Sequence, residues 1–461
     1  MERVDVAVVG GGPAGAAAGH AAAEAGAGAL VVEKGVPRAD RDDSGPDSTD
    51  AAGILDYWVD IMEIHPDEFP DDVVLHELDR AEFVGPDETC VLDSTGIESS
   101  YDGFGFCMQR ARFDDFLRAR AERAGAEYRV GTSVRSVRLD DPDAPERHVV
   151  ELADGTEVGA DHVVLADGPQ RTVTNPVLDS LLPFDVTDRL GATRANHIAY
   201  QEHRRLPPEV AADVRGAIRF WWGHIPGHTA YPWVFPNDDD VARIGLTMPI
   251  DLDLSSIRNR DAYPLLREDD ETVPPGRVYL RRLLEREYGD TYDVETDFPL
   301  VEDRGKAGGT ETYPISSTRP VESPVGAGVA VAGGAMGTTS AFHEGGDHVA
   351  VRTGAIAGRL AAEDRLSRYN DEWKAAIGDE LRRNVTLAEM SRGYEPADWD
   401  RVFRTGRELL ADGNSGWSLF GLGNAAATGL DALRLVADYK RRKFGLRGGR
   451  YCQIRESEYT A

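Results

Sequence analysis

Three glycines near the start of the chain have the spacing of a dinucleotide-binding turn. Gly10, Gly12 and Gly15 form G-x-G-x-x-G after an apolar run at 4–9 and at the start of an alanine-rich segment. Glycines let the backbone approach a pyrophosphate closely, and the N-terminus of the following helix binds its charge. Glu33, 18 residues beyond Gly15, is placed to accept hydrogen bonds from a ribose. The pattern predicts a strand, a turn and a helix that hold a dinucleotide.

Three later segments are predicted to bring further strand ends to the same place. They are a helix and a strand at 110–137, a hairpin-like strand pair at 155–173, and a strand, a glycine-rich turn and a helix at 328–363. In parallel sheets, ligands bind beyond the carboxyl ends of the strands, so we expect these ends to converge on one cofactor. Since no second glycine fingerprint has this context, one site must hold the reactive group. This favours a tightly held FAD.

A second candidate site lies in the stretch TAYPWVFP at 229–236. Side chains alternate along a strand, so Tyr231, Trp233 and Phe235 are predicted to share one face. Three aromatic rings on one face are either the core of a second sheet or a wall for an apolar ligand, and the residues alone leave both open. Pro232 has no N–H donor, which predicts a sheet edge or a strand start.

The charge of the chain argues against nucleic acid as a partner. The net charge is −30 over 461 residues, and such a surface repels a phosphate backbone. Arginine outnumbers lysine, of which there are five, and acidic runs lie at 39–50 and 236–240. This composition predicts a surface adapted to high salt and hence a halophilic, archaeal source. The alternative is an acidic face that binds a partner.

Other simple patterns predict a cytoplasmic protein without a metal. No apolar run of 18 residues occurs, and the chain enters a strand at its start without a signal peptide. Cys90, Cys107 and Cys452 have no paired spacing, which argues against a disulfide framework or a zinc ribbon. The histidines show no ligand spacing either. His343 is singled out because its glycine-rich turn should face the flavin.

Together these motifs resemble those of the flavoprotein geranylgeranyl reductases, over roughly residues 1–395. The stretch 226–245 is similar to the reductase motif Y-x-W-x-F-P followed by a glycine, here Gly245. The resemblance implies that Tyr231, Trp233 and Phe235 line the cavity for a prenyl chain. The wider group includes dehydrogenases that resemble electron-transfer flavoprotein:quinone oxidoreductase, and flavin hydroxylases.

The resemblance also implies cofactor contacts at matching positions and shows two departures. Gly334 stands where the family usually has an Asp that bonds the ribityl chain, and Asp50 stands where the family has a Cys near the flavin. A carboxyl in an apolar pocket can have a raised pKa, which makes Asp50 a candidate proton donor. The implied FAD-binding residues are Gly10, Gly12, Ala14, Gly15, Glu33, Ala51, Gly53, Arg110, Val134, Asp167, Gly334 and Gly346.

The fold implied is α/β, with a Rossmann-like FAD-binding domain, an inserted β-rich substrate domain and a helical C-terminal region. The FAD-binding domain is predicted at 1–75, 100–175 and 316–365. The substrate domain for the prenyl chain is predicted at 76–99 and 176–315, and the helical region at 366–461.

The tail at 429–453 carries the only dense basic cluster, at 440–443. Leu433, Val436 and Tyr439 follow helical spacing. A basic amphipathic helix can lie on an anionic membrane, which predicts a peripheral contact with the inner face of the cell membrane. The alternative is a helix that docks on the acidic body, and the sequence leaves both open.

The function implied is an FAD-dependent reductase that hydrogenates isoprenoid C=C bonds, on geranylgeranyl chains of archaeal membrane lipid precursors. An unidentified electron donor, ferredoxin-like or other, would supply the electrons. Two alternatives stay open: a quinone-linked or electron-transfer-flavoprotein-type dehydrogenase, and a non-catalytic flavin-binding protein at the membrane. A flavin monooxygenase is disfavoured because no NADPH site is visible.

Overall fold

The computed structural model describes residues 1–40, 53–139, 147–411 and 430–460. Its strands are β1 (Glu2–Val9), β2 (Ala29–Glu33), β3 (Gly53–Leu55), β4 (Val74–Leu78), β5 (Arg80–Val84), β6 (Thr89–Leu92), β7 (Gly105–Met108), β8 (Glu127–Val130), β9 (Val134–Leu139), β10 (His148–Leu152), β11 (Glu157–Leu165), β12 (His197–Arg205), β13 (Ala217–Trp221), β14 (Tyr231–Pro236), β15 (Val241–Pro249), β16 (Thr310–Ile315) and β17 (Val329–Val331). Its helices are α1 (Pro13–Glu24), α2 (Asp56–Met62), α3 (Arg110–Ala124), α4 (Thr174–Leu181), α5 (Phe184–Thr187), α6 (Pro208–Val214), α7 (Gly276–Tyr288), α8 (Val294–Asp297), α9 (Gly333–Met336), α10 (Asp347–Ala362), α11 (Tyr369–Ser391), α12 (Pro396–Ala411) and α13 (Leu430–Gly445).

The first sheet has seven strands, and its central part is parallel. The order is β8-β2-β1-β11-β10-β9, with β17 pairing β11 as well. The strands β8, β2, β1, β11 and β17 are parallel to one another, so their carboxyl ends meet at one edge. Both faces of a parallel sheet are covered, which is why residues 6–9 and 29–32 are continuous buried apolar runs.

Helices α1 and α10 pack against each other so closely that only glycine fits at their contact. A Cβ at Gly354 would lie 2.0 Å from the Ala14 carbonyl oxygen, and one at Gly358 would lie 2.0 Å from that of Ala18. This contact fixes the start of α10 beside the start of α1. The loop before α10 therefore lies next to the glycine-rich turn.

The prediction of a strand pair at 155–173 is wrong. Only β11 forms there, and its hairpin partner is the preceding strand β10, with His148 opposite Ala160. After β11 the chain leaves the sheet, because Gly168 adopts a positive φ of 75° and Pro169 has no N–H to donate to a ladder. The apolar alternation of 155–173 indicated strand structure without indicating its partner.

The second sheet also has seven strands, in the order β16-β12-β15-β14-β13-β5-β6. One face packs on α6 and α7 through a core that includes Tyr279 and Leu280. The opposite face carries Tyr231, Trp233 and Phe235 toward the first sheet. A small third sheet, β3-β7-β4, lies beside them.

The expectation that Pro232 marks a sheet edge is wrong, whereas the expectation of a strand start is confirmed. β14 is an interior strand between β13 and β15. Pro232 is its second residue and lies opposite Leu246 of β15, but the pairing with β13 begins only at Trp233. The missing N–H of Pro232 therefore costs no ladder hydrogen bond on that side.

The C-terminal helices form a third layer, and α13 is docked on α11. Tyr439 is 4% exposed and packs with Leu387 and Met390. Beyond α13 the chain returns to the body, where Ile454 is fully buried and pairs as an isolated bridge with Val321. The docked position of the tail helix is thus observed. The domain boundaries given above stay predictions.

The described ranges contain neither a helix that could span a membrane nor a cluster suited to a metal ion. None of the helices in these ranges is long and apolar enough to cross a membrane. Within the same residues, no cluster of three or more His, Cys, Asp or Glu side chains could hold a metal ion.

Candidate functional site

One continuous cavity of about 610 Å³ lies between the carboxyl edge of the first sheet and the aromatic face of the second. Ligand cavities of this size are ordinary for small-molecule sites. Its lining includes the glycine-rich turn at one end and aromatic side chains of β5, β13 and β14 at the other. The two candidate sites of the sequence are therefore two ends of one space.

The glycine-rich turn has the shape that a pyrophosphate requires. A Cβ on Gly10 would lie 2.3 Å from the Ala166 carbonyl oxygen, and one on Gly15 would lie 1.8 Å from that of Gly10. These two glycines allow the turn and the helix to approach β11. Gly12 is different, because a Cβ there would meet no atom of the chain within 4 Å, although Gly12 lines the cavity. The open space at Gly12 and the start of α1 fit a phosphate group.

Glu33 closes the nucleotide end of the cavity at the end of β2. Its Oε2 accepts a hydrogen bond from the Gly11 N–H at 2.7 Å, and its Oε1 accepts one from the Gly35 N–H at 2.6 Å. These bonds hold the carboxylate in place. Since each carboxylate oxygen can accept more than one bond, Glu33 retains the capacity to accept from a ribose hydroxyl.

Asp167 and Arg110 line the cavity but are also engaged with the protein. Asp167 accepts hydrogen bonds from the backbone N–H groups of Val173 and Thr174, which holds the turn before α4. Arg110 forms a salt bridge with Asp347, at 2.9 Å, at the start of α10. These two side chains therefore shape the walls of the nucleotide end.

Most of the predicted site residues lie together, whereas some do not. Asp50 and Ala51 lie outside the described residues. Gly15 does not line the cavity; it lies behind the turn, where the absence of a side chain lets the helix approach Gly10. A Cβ on Gly53 would lie 2.8 Å from Cε1 of Phe235, so Gly53 gives room to that ring. The predicted residues that line the cavity are Gly10, Gly12, Ala14, Glu33, Gly53, Arg110, Val134, Asp167, Tyr231, Trp233, Phe235, Gly334 and Gly346.

The aromatic wall is both a packed cluster and a cavity surface. Tyr231, Trp233 and Phe235 are 3%, 4% and 7% exposed, so they are buried, yet all three line the cavity. Gly245 lies opposite Trp233 in the register of β14 and β15. A Cβ on Gly245 would lie 2.4 Å from Cζ2 of the indole. The glycine of the motif therefore gives the indole its position.

Sequence reasoning missed much of this wall. Trp222 stacks on Tyr231 with ring centroids 4.2 Å apart, and on Phe342 at 5.0 Å. Phe220 and Phe83 stack at 5.6 Å between ring centroids. Of these five rings, the sequence indicated only Tyr231 as a site residue. The pair Trp221-Trp222 after Phe220 was an available signal, because alternation places Phe220 and Trp222 on the face shared with Trp233.

His343 lies at the cavity, as expected, but in an environment that keeps it neutral. Trp58 stacks on His348 at 4.0 Å between centroids and on His343 at 5.3 Å. Burial, with a smaller effect from the positive charge of Arg383, lowers the pKa of His343 to about 3. Burial also moves the pKa of His348 well below its ordinary value. Neither imidazole is a proton donor at neutral pH.

Glu344 is a cavity residue that the sequence did not single out. Its side chain is 4% exposed, and neither carboxyl oxygen has a hydrogen-bond partner within 3.5 Å among the described residues. Burial raises the pKa of Glu344 to about 8, with a smaller opposite effect from the Thr247 hydroxyl. The carboxyl is therefore mostly protonated at neutral pH.

Comparison with known proteins agrees with this geometry. Residues 3–178 match the family model described as an FAD binding domain. Digeranylgeranylglycerophospholipid reductase 2 of Methanopyrus kandleri is 28% identical over 84% of this chain and 87% of its own length. The corresponding reductase of Methanothrix thermoacetophila is 26% identical over 84% of this chain and 87% of its own length.

Among solved structures, a geranylgeranyl bacteriochlorophyll reductase-like protein from Thermoplasma acidophilum has the same fold. The TM-score is 0.66 at 20% identity, and the match covers 97% of this chain and 99% of that one. The predicted α/β fold, the FAD cofactor and the resemblance to the geranylgeranyl reductases are confirmed.

Proposed function

We propose that this protein is an FAD-dependent reductase that hydrogenates isoprenoid C=C bonds, with geranylgeranyl chains of archaeal membrane lipid precursors as its substrates. The observation that carries the proposal is the continuous cavity in which the nucleotide turn and the aromatic wall meet. A redox cofactor and a long apolar chain would share one space there. The relatives named as reductases of such lipids support this substrate class.

The residues of the chain would bind the cofactor, orient the substrate and exclude water from both. The glycine-rich turn with the start of α1 would hold the pyrophosphate, and Glu33 the ribose. FAD, when bound and reduced, supplies the hydride for the alkene. The aromatic wall binds the prenyl chain by excluding water, which is worth about 0.8 kcal/mol for each buried CH₂. This apolar binding involves no contact with the head group. The wall therefore discriminates between lipids by their chains and not by their head groups.

The test is an anaerobic single-turnover experiment. The FAD-loaded protein is reduced with dithionite and mixed with a geranylgeranyl phospholipid. We expect the absorbance of oxidised flavin to return, and mass spectrometry to show the lipid with two more hydrogens for each saturated bond. Unchanged lipid after full flavin reoxidation under nitrogen would contradict the proposal.

We infer that the electrons come from a separate carrier, ferredoxin-like or of another class. The sequence has one dinucleotide fingerprint with a strand before it and a helix after it. That fingerprint lies at one end of the cavity. Steady-state turnover should therefore need a reduced protein carrier. Equal turnover with NADPH alone would contradict this inference.

We also propose that α13 contacts the membrane with its outward side. Leu433 is 44% exposed and Phe444 is 65% exposed, and Lys440 and Arg441 share their side of the helix at helical spacing. Tyr439, on the opposite side, is docked on α11. The helix can thus lie on an anionic surface without leaving the body. The predicted location, cytoplasmic at the inner face of the membrane, goes with this contact.

A further inference from the structure

The loop before α10 carries an acidic residue, Glu344, that belongs to the lining of the cavity. Glu344 has a φ of 62°, a backbone conformation that costs energy for a residue other than glycine and that is concentrated at functional sites. Its N–H donates to the Ser340 carbonyl at 3.1 Å, and the Ser340 N–H donates to the Gly345 carbonyl at 2.9 Å. These bonds close a tight loop, so the conformation of Glu344 is imposed by its surroundings.

The loop is also held from the second sheet. The Tyr231 hydroxyl donates a hydrogen bond to the His343 carbonyl oxygen at 2.7 Å, next to Glu344. His197 of β12 lies with its Nε2 at 3.8 Å from Oε1 of Glu344, too far for a hydrogen bond. The same Nε2 donates to the His228 carbonyl at 2.9 Å. Glu344 is thus positioned without being neutralised by a partner.

The other acidic residues of the described lining are occupied. Glu33 accepts two backbone hydrogen bonds at the nucleotide end, and Asp167 accepts bonds from the start of α4. Asp347 is paired with Arg110. His343 and His348 are neutral. Glu344 is the carboxyl of this lining that lies next to the aromatic wall, since it neighbours Tyr231 and Thr247.

We propose that the Glu344 carboxyl is the acid that protonates the alkene during its reduction. Saturating one C=C bond requires a hydride on one carbon and a proton on the other. Reduced FAD, when bound, would supply that hydride and be left oxidised. The O–H bond of Glu344 breaks as the second C–H bond forms, and the resulting carboxylate regains a proton from solvent. This inference rests on the function proposed above.

The first test replaces the acid by its isosteric amide. Glu344→Gln should retain bound FAD and lower the single-turnover rate of lipid-driven flavin reoxidation by about 10²–10⁴-fold, the usual contribution of a general acid. Glu344→Asp keeps an acid and should recover part of the rate. Glu311→Gln is the matched control, because Glu311 is a buried carboxyl of the second sheet that accepts a hydrogen bond from Gln201. Its rate should stay within a few-fold of wild type.

The second test does not depend on turnover. Infrared difference spectra of the FAD-loaded protein at pH 7 should show the carbonyl stretch of a neutral carboxylic acid, which Glu344→Gln lacks and which fades as the pH passes about 8. The groups that face Glu344 include His197, Tyr231 and the neutral His343. Because neither His197 nor His343 carries a charge there, we expect one simple titration. In the wild type the reaction rate should fall over the same pH range.

The outcomes separate the two proposals. A wild-type protein that reduces the lipid, with a Glu344→Gln variant that does so equally fast, would overturn the role of Glu344 alone. An absent carboxylic acid band in the wild type would overturn it too. A wild-type protein that leaves the lipid unsaturated would overturn the proposed function and, with it, this step.

Discussion

Gly245→Ala is expected to move the Trp233 indole into the cavity. The added Cβ would lie 2.4 Å from Cζ2, 2.5 Å from Cε2 and 2.7 Å from Nε1 of the ring. Carbon atoms in contact prefer about 3.5 Å or more, so the ring must shift by about 1 Å. The backbone of β15 is held on both sides by β12 and β14 and cannot retreat. The cavity is the open direction.

The substitution should lower the stability of the protein modestly and the reaction rate strongly. Overpacking of a core typically costs about 1–3 kcal/mol, which lowers the unfolding temperature without unfolding the protein. Misplacing a reacting atom by about 1 Å can cost 10²-fold in rate. FAD content should be unchanged, because the glycine-rich turn belongs to the other sheet. The assay combines flavin absorbance, thermal unfolding and single-turnover reoxidation by a geranylgeranyl lipid.

Two further variants test whether the clash with the Trp233 indole is the cause of the effect. Gly191→Ala is the control, since a Cβ at Gly191 would meet no atom within 4 Å, and it should behave as the wild type. Adding Trp233→Phe to Gly245→Ala removes the clashing part of the indole and should recover part of the lost rate. A Gly245→Ala variant that reacts at the wild-type rate would refute the account of the wall.

Three other predictions follow from the same geometry. Gly12→Ala should leave the apo protein as stable as the wild type, because its Cβ meets no protein atom, but should weaken FAD binding measured by fluorescence titration; unchanged affinity would contradict the pyrophosphate site. Acid should destabilise the fold from pH 6.5 downward, because burial lowers the pKa of His197 and His224 to about 4 and that of His203 and His343 to about 3. The unfolded chain then binds the protons first, at a cost of up to about 1.4 kcal/mol per pH unit for each histidine, and a denaturation midpoint that stays flat down to pH 4.5 would refute this. Leu433→Asp with Phe444→Asp should reduce binding to anionic vesicles in flotation assays without a change in FAD content, and equal flotation would remove the membrane contact of α13.

The sequence predicted the parts of the site whose chemistry is local. The turn at Gly10, Gly12 and Gly15 is recognisable because its three glycines, the strand before it and the helix after it lie within a few residues of each other. The shared face of the aromatic motif follows from the two-residue period of a strand. Neither inference depends on which distant segments become neighbours in the fold. Both could therefore be made from the sequence alone.

Properties that depend on enclosure were not predictable in this way. Motif position predicts Asp50, which lies outside the described residues, as an acid, whereas the raised pKa of Glu344 results from its burial against residues of β12, β14 and β15, far from it in the sequence. The strand partner of β11 was missed for the same reason, since alternation describes one strand and not a pair. Trp222 and Phe342 join one stack only because β13 and the loop before α10 meet across the cavity.

Tyr231 shows how the motif and the missed residue are connected. Its ring belongs to the aromatic wall, stacked on Trp222, while its hydroxyl donates to the His343 carbonyl 112 residues away. The bond ties the strand that binds an apolar chain to the loop that carries Glu344. A phenylalanine would serve the wall equally well, so the hydroxyl is explained by the loop. Because the same residue contacts both, the aromatic wall and the loop that carries Glu344 are held in one fixed relation.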